Sequence, residues 1–525
     1  MENEERAAEE RTAPDGTPAE AVAAAAREPA AQAVDEAAAG AAEEGPGEGG
    51  EQGSGEGGEE GSATRRRRRR RLVVGSLVGC LVLGGGVLVC LPGEGPAGRG
   101  APAAAPGAQA GSAVRAGVAA ALPELAALIE ERERAVRERP GDARSWAVLG
   151  TAYLEQGRRT AEVAVLYPKA ERALRTSLKA RPRGNADALG GLAALANARR
   201  DFPAAVRWGE AARKEAPKRW TTYPQLIDAY TGMGDYKKTL KALDALTALH
   251  SGPAVRGRAA GVYWDRGRRE DAQAALADAA VGAVSPAEQA AWLERAGQLA
   301  WERGEPQDAL RHFQEAVRLD PDQRAAQAGQ GRALAALGRT TEALNAYRVA
   351  LERQPLPQYA LELGELYESL GLAQAARVQY DRLRTLVRQE SAGGVDGELT
   401  LGRFEADHGD PASAVRRLRA EWRRQPGVAV ADALGWALHR AGDDEAALRF
   451  ASIATDRVHG GAVYSAPYVH HLAVIERALG KDGPARRHLQ EALRINPHFS
   501  PLFGPAARAA LAGLGDEPPP AELPD

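Results

Sequence analysis

Residues 297–321 read GQLAWERGEPQDALRHFQEAVRLDP, and residues 331–355 read GRALAALGRTTEALNAYRVALERQP. Laid over one another, they align Gly297 with Gly331, Gly304 with Gly338, Ala309 with Ala343, Phe313 with Tyr347, Ala316 with Ala350 and Pro321 with Pro355. Each of these pairs is 34 residues apart. A fixed period of that length belongs to a stack of small like units, not to one closed core. Apolar residues fall at helical spacing on both sides of the second glycine, so each unit reads as two helices. Glycine ends the first helix, because a left-handed backbone angle costs it little. Proline ends the second, because it cannot continue the hydrogen-bond ladder. The two alanines lie on one face of the second helix, where a larger side chain would push neighbouring units apart. The aromatic between them fills the space that remains.

The register extends in both directions. Downstream it runs through Gly364, Tyr367, Gly371, Ala376 and Tyr380, then Gly402, Gly409, Ala414 and Pro426. It continues through Gly435, Gly442, Ala447 and Ala454, and closes with Ala473, Gly480, Ala485, Leu489, Ala492 and Pro497. Upstream, Trp146, Leu149, Gly150 and Tyr153 form W-x-x-L-G-x-x-Y. Residues 186–285 keep the register only in part, through Ala205 with Ala212 and Gly267 with Ala272 and Ala279. The segments near Thr160 to Pro168, 384–397 and 455–466 are longer than an ordinary junction.

These residues resemble the tetratricopeptide repeat (TPR) family. The resemblance implies an all-α superhelical solenoid of about ten helix pairs over residues 123–513, with a last helix over Pro505–Leu514 as its cap. It also implies a concave groove, lined by the first helix of each pair, that takes peptides or helices of other proteins. The register places Trp264, Glu294, Gln298, Trp301, Arg332, Glu365, Arg403, Trp436, His439 and His470 toward that groove. Aromatics and arginines among them are the residue types that anchor interfaces. Trp146, at a signature position, reads as core instead.

The chain has 525 residues and a formal net charge of −3, but its charge is unevenly spread. Residues 1–64 hold 17 acidic and 3 basic side chains with almost no large apolar residue, a composition that cannot offset ordering entropy, so the segment reads as disordered. Its Gly45-Pro46-Gly47-Glu48-Gly49-Gly50 matches a dinucleotide-binding pattern by letter only, since neither strand nor helix flanks it. Arg65 to Arg71 then abut residues 72–91, which carry no charge. As a helix that stretch would span roughly 30 Å, the thickness of a bilayer core. The arginines at its leading edge predict a cytoplasmic N-terminus and an extracytoplasmic repeat domain. Gly75 and Gly79 form a G-x-x-x-G through which two such helices could pair as a homodimer. Leu77-Val78-Gly79-Cys80 resembles a lipobox, which would make Cys80 a lipidated residue if translation started downstream. Residues 92–122, rich in Pro, Ala and Gly, read as a linker, and 514–525 as a disordered end. Abundant Ala, Arg and Gly beside few Ile, Asn and Lys suggests a GC-rich genome. The whole resembles a membrane-anchored bacterial TPR protein.

Both cysteines, Cys80 and Cys90, fall inside the apolar stretch, so the repeats are stable without disulfides. No basic surface suited to nucleic acid is present in the folded part. H-E-x-x-H, G-x-S-x-G and Walker sequences are missing, and adjacent His470 and His471 cannot chelate as an i, i+4 pair would. The expectation is therefore a scaffold for other proteins, with no enzymatic activity, cofactor or metal. The competing expectation is a transmembrane sensor or transport accessory that signals through the acidic tail.

Overall fold

The computed structural model describes residues 106–456 and 464–515. Among them are 23 α-helices, one 3-10 turn at Trp220–Thr222, and no strand. Helices α1 (Pro106–Ala116) and α2 (Leu122–Glu138) lead into ten antiparallel pairs. The first five pairs are α3 (Ala143–Thr160) with α4 (Val163–Ala180), α5 (Ala186–Ala198) with α6 (Phe202–Glu215), α7 (Tyr223–Gly232) with α8 (Tyr236–Leu249), α9 (Pro253–Asp265) with α10 (Arg269–Val281), and α11 (Pro286–Glu302) with α12 (Pro306–Leu319). The second five are α13 (Arg324–Ala336) with α14 (Thr340–Arg353), α15 (Pro357–Ser369) with α16 (Ala373–Ala392), α17 (Glu398–His408) with α18 (Pro411–Arg424), α19 (Val428–Arg440) with α20 (Asp444–Thr455), and α21 (Ala466–Ala478) with α22 (Asp482–Ile495). Helix α23 (Phe503–Gly513) closes the stack. We call the first helix of each pair A and the second B.

The repeated letters have the physical roles their spacing suggests. A Cβ on Gly297 would lie 2.7 Å from the Phe313 ring, and one on Gly331 would lie 2.7 Å from the Tyr347 ring. The missing side chain in helix A is the seat of the aromatic in helix B. Ala309, Ala316, Ala343 and Ala350 are completely buried, so adjacent pairs approach as closely as a methyl group allows. Gly304 sits at φ 75° between α11 and α12; its N–H bonds to the Trp301 carbonyl, and the Glu305 N–H bonds to the Ala300 carbonyl, which ends helix A. Every corresponding turn has a glycine at positive φ except three. Gly409 lies at φ −146°, and Ala161 and Arg200 take the left-handed angle themselves, at φ 61° and 59°.

Residues 186–285, where the letters are degenerate, form pairs like the others. The longer segment near 160–168 is absorbed by lengthening α3 and α4 to 18 residues each, and that near 384–397 by extending α16 to 20. The linker expected over 92–122 does not hold for its described part. Residues 106–116 form α1, whose Ala110, Ala113 and Val114 are buried in one cluster with Leu125 and Leu128 of α2. Spacing of i, i+3 and i+4 puts these three on one face, and small side chains suffice to pack it. The expected tail, arginine run, membrane span and Gly75–Gly79 dimer motif lie outside the described residues, as do residues 516–525 of the expected disordered end. Among the described helices none is long and apolar enough to cross a membrane.

The solenoid also returns on itself with a fixed register. The turn between A and B in each of the first five pairs meets the end of helix B five pairs further on. Gln354, after α14, donates to the Arg158 carbonyl at 2.8 Å. Arg199 donates to the Gly393 carbonyl at 2.8 Å, and the Asp396 N–H donates back to the Arg199 carbonyl at 2.9 Å. Arg200 reaches the Asp396 carbonyl at 2.9 Å. The Val428 N–H donates to the Tyr236 hydroxyl at 3.2 Å, Arg269 donates to the Tyr464 carbonyl, and Asn496 donates to the Trp301 carbonyl at 2.8 Å. Arg159 pairs with Asp320 at 2.6 Å, their side chains only 5% and 8% exposed. Two turns of five pairs thus lie against one another.

Candidate functional site

The A helices form a continuous face on which polar side chains link each helix to the next. Arg258 of α9 pairs with Asp228 of α7. Arg332 of α13 donates to Gln298 of α11 and pairs with Glu362 of α15 at 3.1 Å. Gln298 in turn donates to Glu302 at 3.1 Å. His408 of α17 lies 3.8 Å from Glu365 of α15. Trp436 of α19 donates to Asp407 of α17 at 2.9 Å, and His471 of α21 lies 2.8 Å from Asp432 of α19.

This face is concave, because charges on distant pairs act on one another across it. Glu294 of α11 feels Arg158 of α3, and Tyr468 of α21 feels Glu302 of α11. Crowding by protein has an electrostatic consequence. Burial pushes the carboxyls of Glu294, Glu302 and Glu365 above the usual carboxylate range. Burial, with Asp228 nearby, pushes Asp265 up to about 7. Arg295, beside them, is exposed. Burial also opposes the charge on Arg332, but Glu362, Tyr347, Glu294 and Glu302 outweigh it and hold the guanidinium above its ordinary value. The charges on this face therefore largely compensate one another.

The ten residues placed on the groove by sequence divide in three. Glu294, Gln298, Arg332 and Glu365 lie on this concave face, half-buried, and Arg332 joins Gln298 directly. Arg403 is exposed, with its guanidinium 3.3 Å from the Ala429 carbonyl, and half-buried His439 contacts Asp444 at 2.5 Å. Trp301, Trp436 and His470 are buried, and Trp264 is half-buried against the core, so none of these four offers an open surface. The Trp301 carbonyl accepts from the Asn496 side chain, and Trp436 stacks on His471 with ring centres 4.3 Å apart. His470 packs against Phe499 and Phe503, and burial lowers its pKa to about 3. Trp146, read as core, is half-buried and donates to the Pro140 carbonyl. The sequence reading passed over Arg158, Asp228, Arg258, Asp265, Glu302 and Glu362. Two steps of the 34-residue register carry Glu294 to Glu362, which was the available signal.

Among the described residues no group of three or more His, Cys, Asp or Glu is placed to hold a metal. A cavity of about 450 Å³ opens elsewhere, between α2, α3, α4 and α16, lined by Ile129, Tyr153 and Leu166 with Glu133 and Lys169.

Residues 295–356 and 329–390 match the profile described as tetratricopeptide repeat. Over residues 295–390 the chain is thus similar to TPR units. These residues span the last eight residues of α11, all of α12 to α15 and most of α16, the part of the chain where the letters are cleanest. No curated protein matches the chain by sequence. Among solved structures, yeast Tom70 is similar at 13% identity, covering 71% of this chain and 96% of that one, with a TM-score of 0.32. A tetratricopeptide repeat protein from Parabacteroides merdae is similar at 15% identity, covering 50% of this chain and 99% of that one, with a TM-score of 0.31. TPR units bind other proteins as a class, and a stacked array of them suits the chain to a protein-interaction scaffold.

Proposed function

We propose that the protein is a membrane-anchored scaffold that holds peptides or helices of other proteins on the concave face of its A helices. The observation that carries this reading is the row of polar and charged side chains, from Asp228 through Glu294 and Arg332 to Arg403, presented by successive A helices of a TPR-type solenoid. Such a face recognises an extended partner by many modest polar contacts and gains specificity from charge placement. Residues 72–91 are the anchor, and the arginines before them favour a cytoplasmic N-terminus with the repeats on the opposite side.

Photo-crosslinking residues inserted at Arg295 and Arg403, on A helices, and at Val378, on the outer helix α16, test the binding face in cells. Crosslinks to other proteins are expected from the first two positions. Equal capture from Val378 would remove the concave face as the site. Protease shaving of intact cells tests the topology: the repeats are expected to be cut, and protection until lysis would reverse it.

A further inference from the structure

The contact between the two turns is made by one kind of edge meeting another. Turns between A and B form the first edge, and the ends of helix B form the second. In the first five pairs the A–B turns are roofed: a Cβ on Gly234 would collide with the Pro426 carbonyl, and one on Gly304 would lie 3.0 Å from Asn496 Cα. In the second five pairs the same turns are bare. Nothing lies within 4 Å of a Cβ on Gly338, Gly371, Gly442 or Gly480. At the opposite end of the solenoid, the helix B ends of the first pairs are bare too, with open space at Gly184.

At two matching positions the bare edges differ in charge, basic on one and mostly acidic on the other, although Arg440 is exposed beside Asp443 and Arg339 and Lys481 lie in other bare turns. Arg181 and Arg183 after α4, and Lys214 and Lys218 at and after the end of α6, are exposed. Asp410 before α18, and Asp443 and Glu445 at the start of α20, are exposed as well. We propose that a second copy of this chain stacks head to tail on the bare A–B turns and continues the winding, independently of what the concave face holds. The five-pair register fixes the match. With α23 filling one position and the next copy's α1–α2 the following one, that copy's α4 end falls over the α17–α18 turn. Its α6 end falls over the α19–α20 turn. Those are the positions where Arg181, Arg183, Lys214 and Lys218 would meet Asp410, Asp443 and Glu445. An interface of this kind joins unlike surfaces and does not close, so it produces short stacks rather than a symmetric dimer.

The test uses the full chain in detergent micelles, followed by sedimentation velocity. One variant combines Arg183→Glu, Lys214→Glu and Lys218→Glu. The other combines Asp410→Asn, Asp443→Asn and Glu445→Lys; asparagine retains the helix caps that these aspartates provide. The unaltered chain is expected to associate with rising concentration and to lose association as salt increases. Each variant alone is expected to associate about tenfold or more weakly, with unchanged helical circular dichroism. Mixed in equal amounts, the variants are expected to regain association as a discrete pair, because each retains the edge the other lacks. An unaltered chain that stays monomeric overturns the proposal. So does a mixture no stronger than its components, or association that survives in both variants, as pairing through Gly75 and Gly79 would.

Discussion

The α3–α12 half and the α13–α22 half are built from the same 34-residue signature, yet their A–B turns live in different surroundings. In the first half the turns are buried under backbone from the second; in the second half they face solvent. A repeat letter therefore states what a residue does within its own pair. What it does for the molecule depends on which turn of the solenoid it occupies. The glycines at 304 and 338 have the same φ within a degree, but only Gly304 has Asn496 and Pro497 pressed against it.

The largest expected difference between the halves lies in their arginines. Arg159→Ala leaves Asp320 buried without its partner, which costs about 3–5 kcal/mol. Arg339, in the bare turn between α13 and α14, pairs with Glu342 at the surface, and Arg339→Ala is expected to leave the urea midpoint unchanged. Equal midpoints for the two variants would mean that the α3–α4 turn gains nothing from Asp320 at the end of α12. A smaller difference is expected at the glycines. Gly338→Ala meets only the left-handed strain, about 1 kcal/mol, whereas Gly304→Ala adds a collision between turns and should cost about 3 kcal/mol. Chemical denaturation of both variants reads the gap directly.

How much of this was legible follows from the range of each interaction. Pairing, the Gly297–Phe313 and Gly331–Tyr347 seats, and the left-handed turns are set within one period, so the letters carry them. The contact between turns is not, because it accumulates from small rotations over five pairs that no local letter encodes. That is why Trp301 reads as a groove residue and is buried beside the second turn, whereas Trp436 is covered by its own neighbours in the stack, His471 and Phe503. Helix α1 was missed for a different reason. Ala and Gly at its positions look like a linker, and only the neighbouring Leu125 and Leu128 give that small-residue face something to pack against. The acidic and basic residues of the concave face were half legible, since a polar residue in register states its face but not its partner.

Titration separates the halves again, with opposite signs. Asp265, in α9, has its folded pKa raised to about 7 from an ordinary 3.8 by burial and Asp228. Between those values the folded chain holds a proton that the unfolded chain has lost, so this residue's contribution to stability falls as pH rises. His470, in α21, has its folded pKa lowered to about 3 from 6.5 by burial, with His471 and His439 acting the same way. There the unfolded chain takes up the proton first, and stability falls as pH drops below 6.5. Each slope is at most about 1.4 kcal/mol per pH unit. Between pH 7 and 5 they oppose one another in the unaltered chain. Asp265→Asn is expected to unmask the acid sensitivity, and His470→Leu to leave stability that declines from pH 5 to 7. Urea midpoints at the two pH values check both; parallel shifts in the two variants would break the assignment.

The smallest effect isolates a single residue at the seam. Arg200 holds a left-handed backbone angle where most other pairs have glycine, and its guanidinium reaches the Asp396 carbonyl and Thr400 of the second turn. Arg200→Gly removes roughly 1 kcal/mol of strain together with a hydrogen bond of similar worth, so the net change is expected to be near zero. Arg200→Ala keeps the strain and loses the bond, and is expected to be about 1 kcal/mol less stable than either. That order, glycine level with arginine and alanine below both, follows only if the contact between turns compensates the backbone. A glycine variant more stable than the original by a full kcal/mol would mean that the bond to Asp396 adds nothing. The arginine would then be a fault in the repeat and not part of the seam.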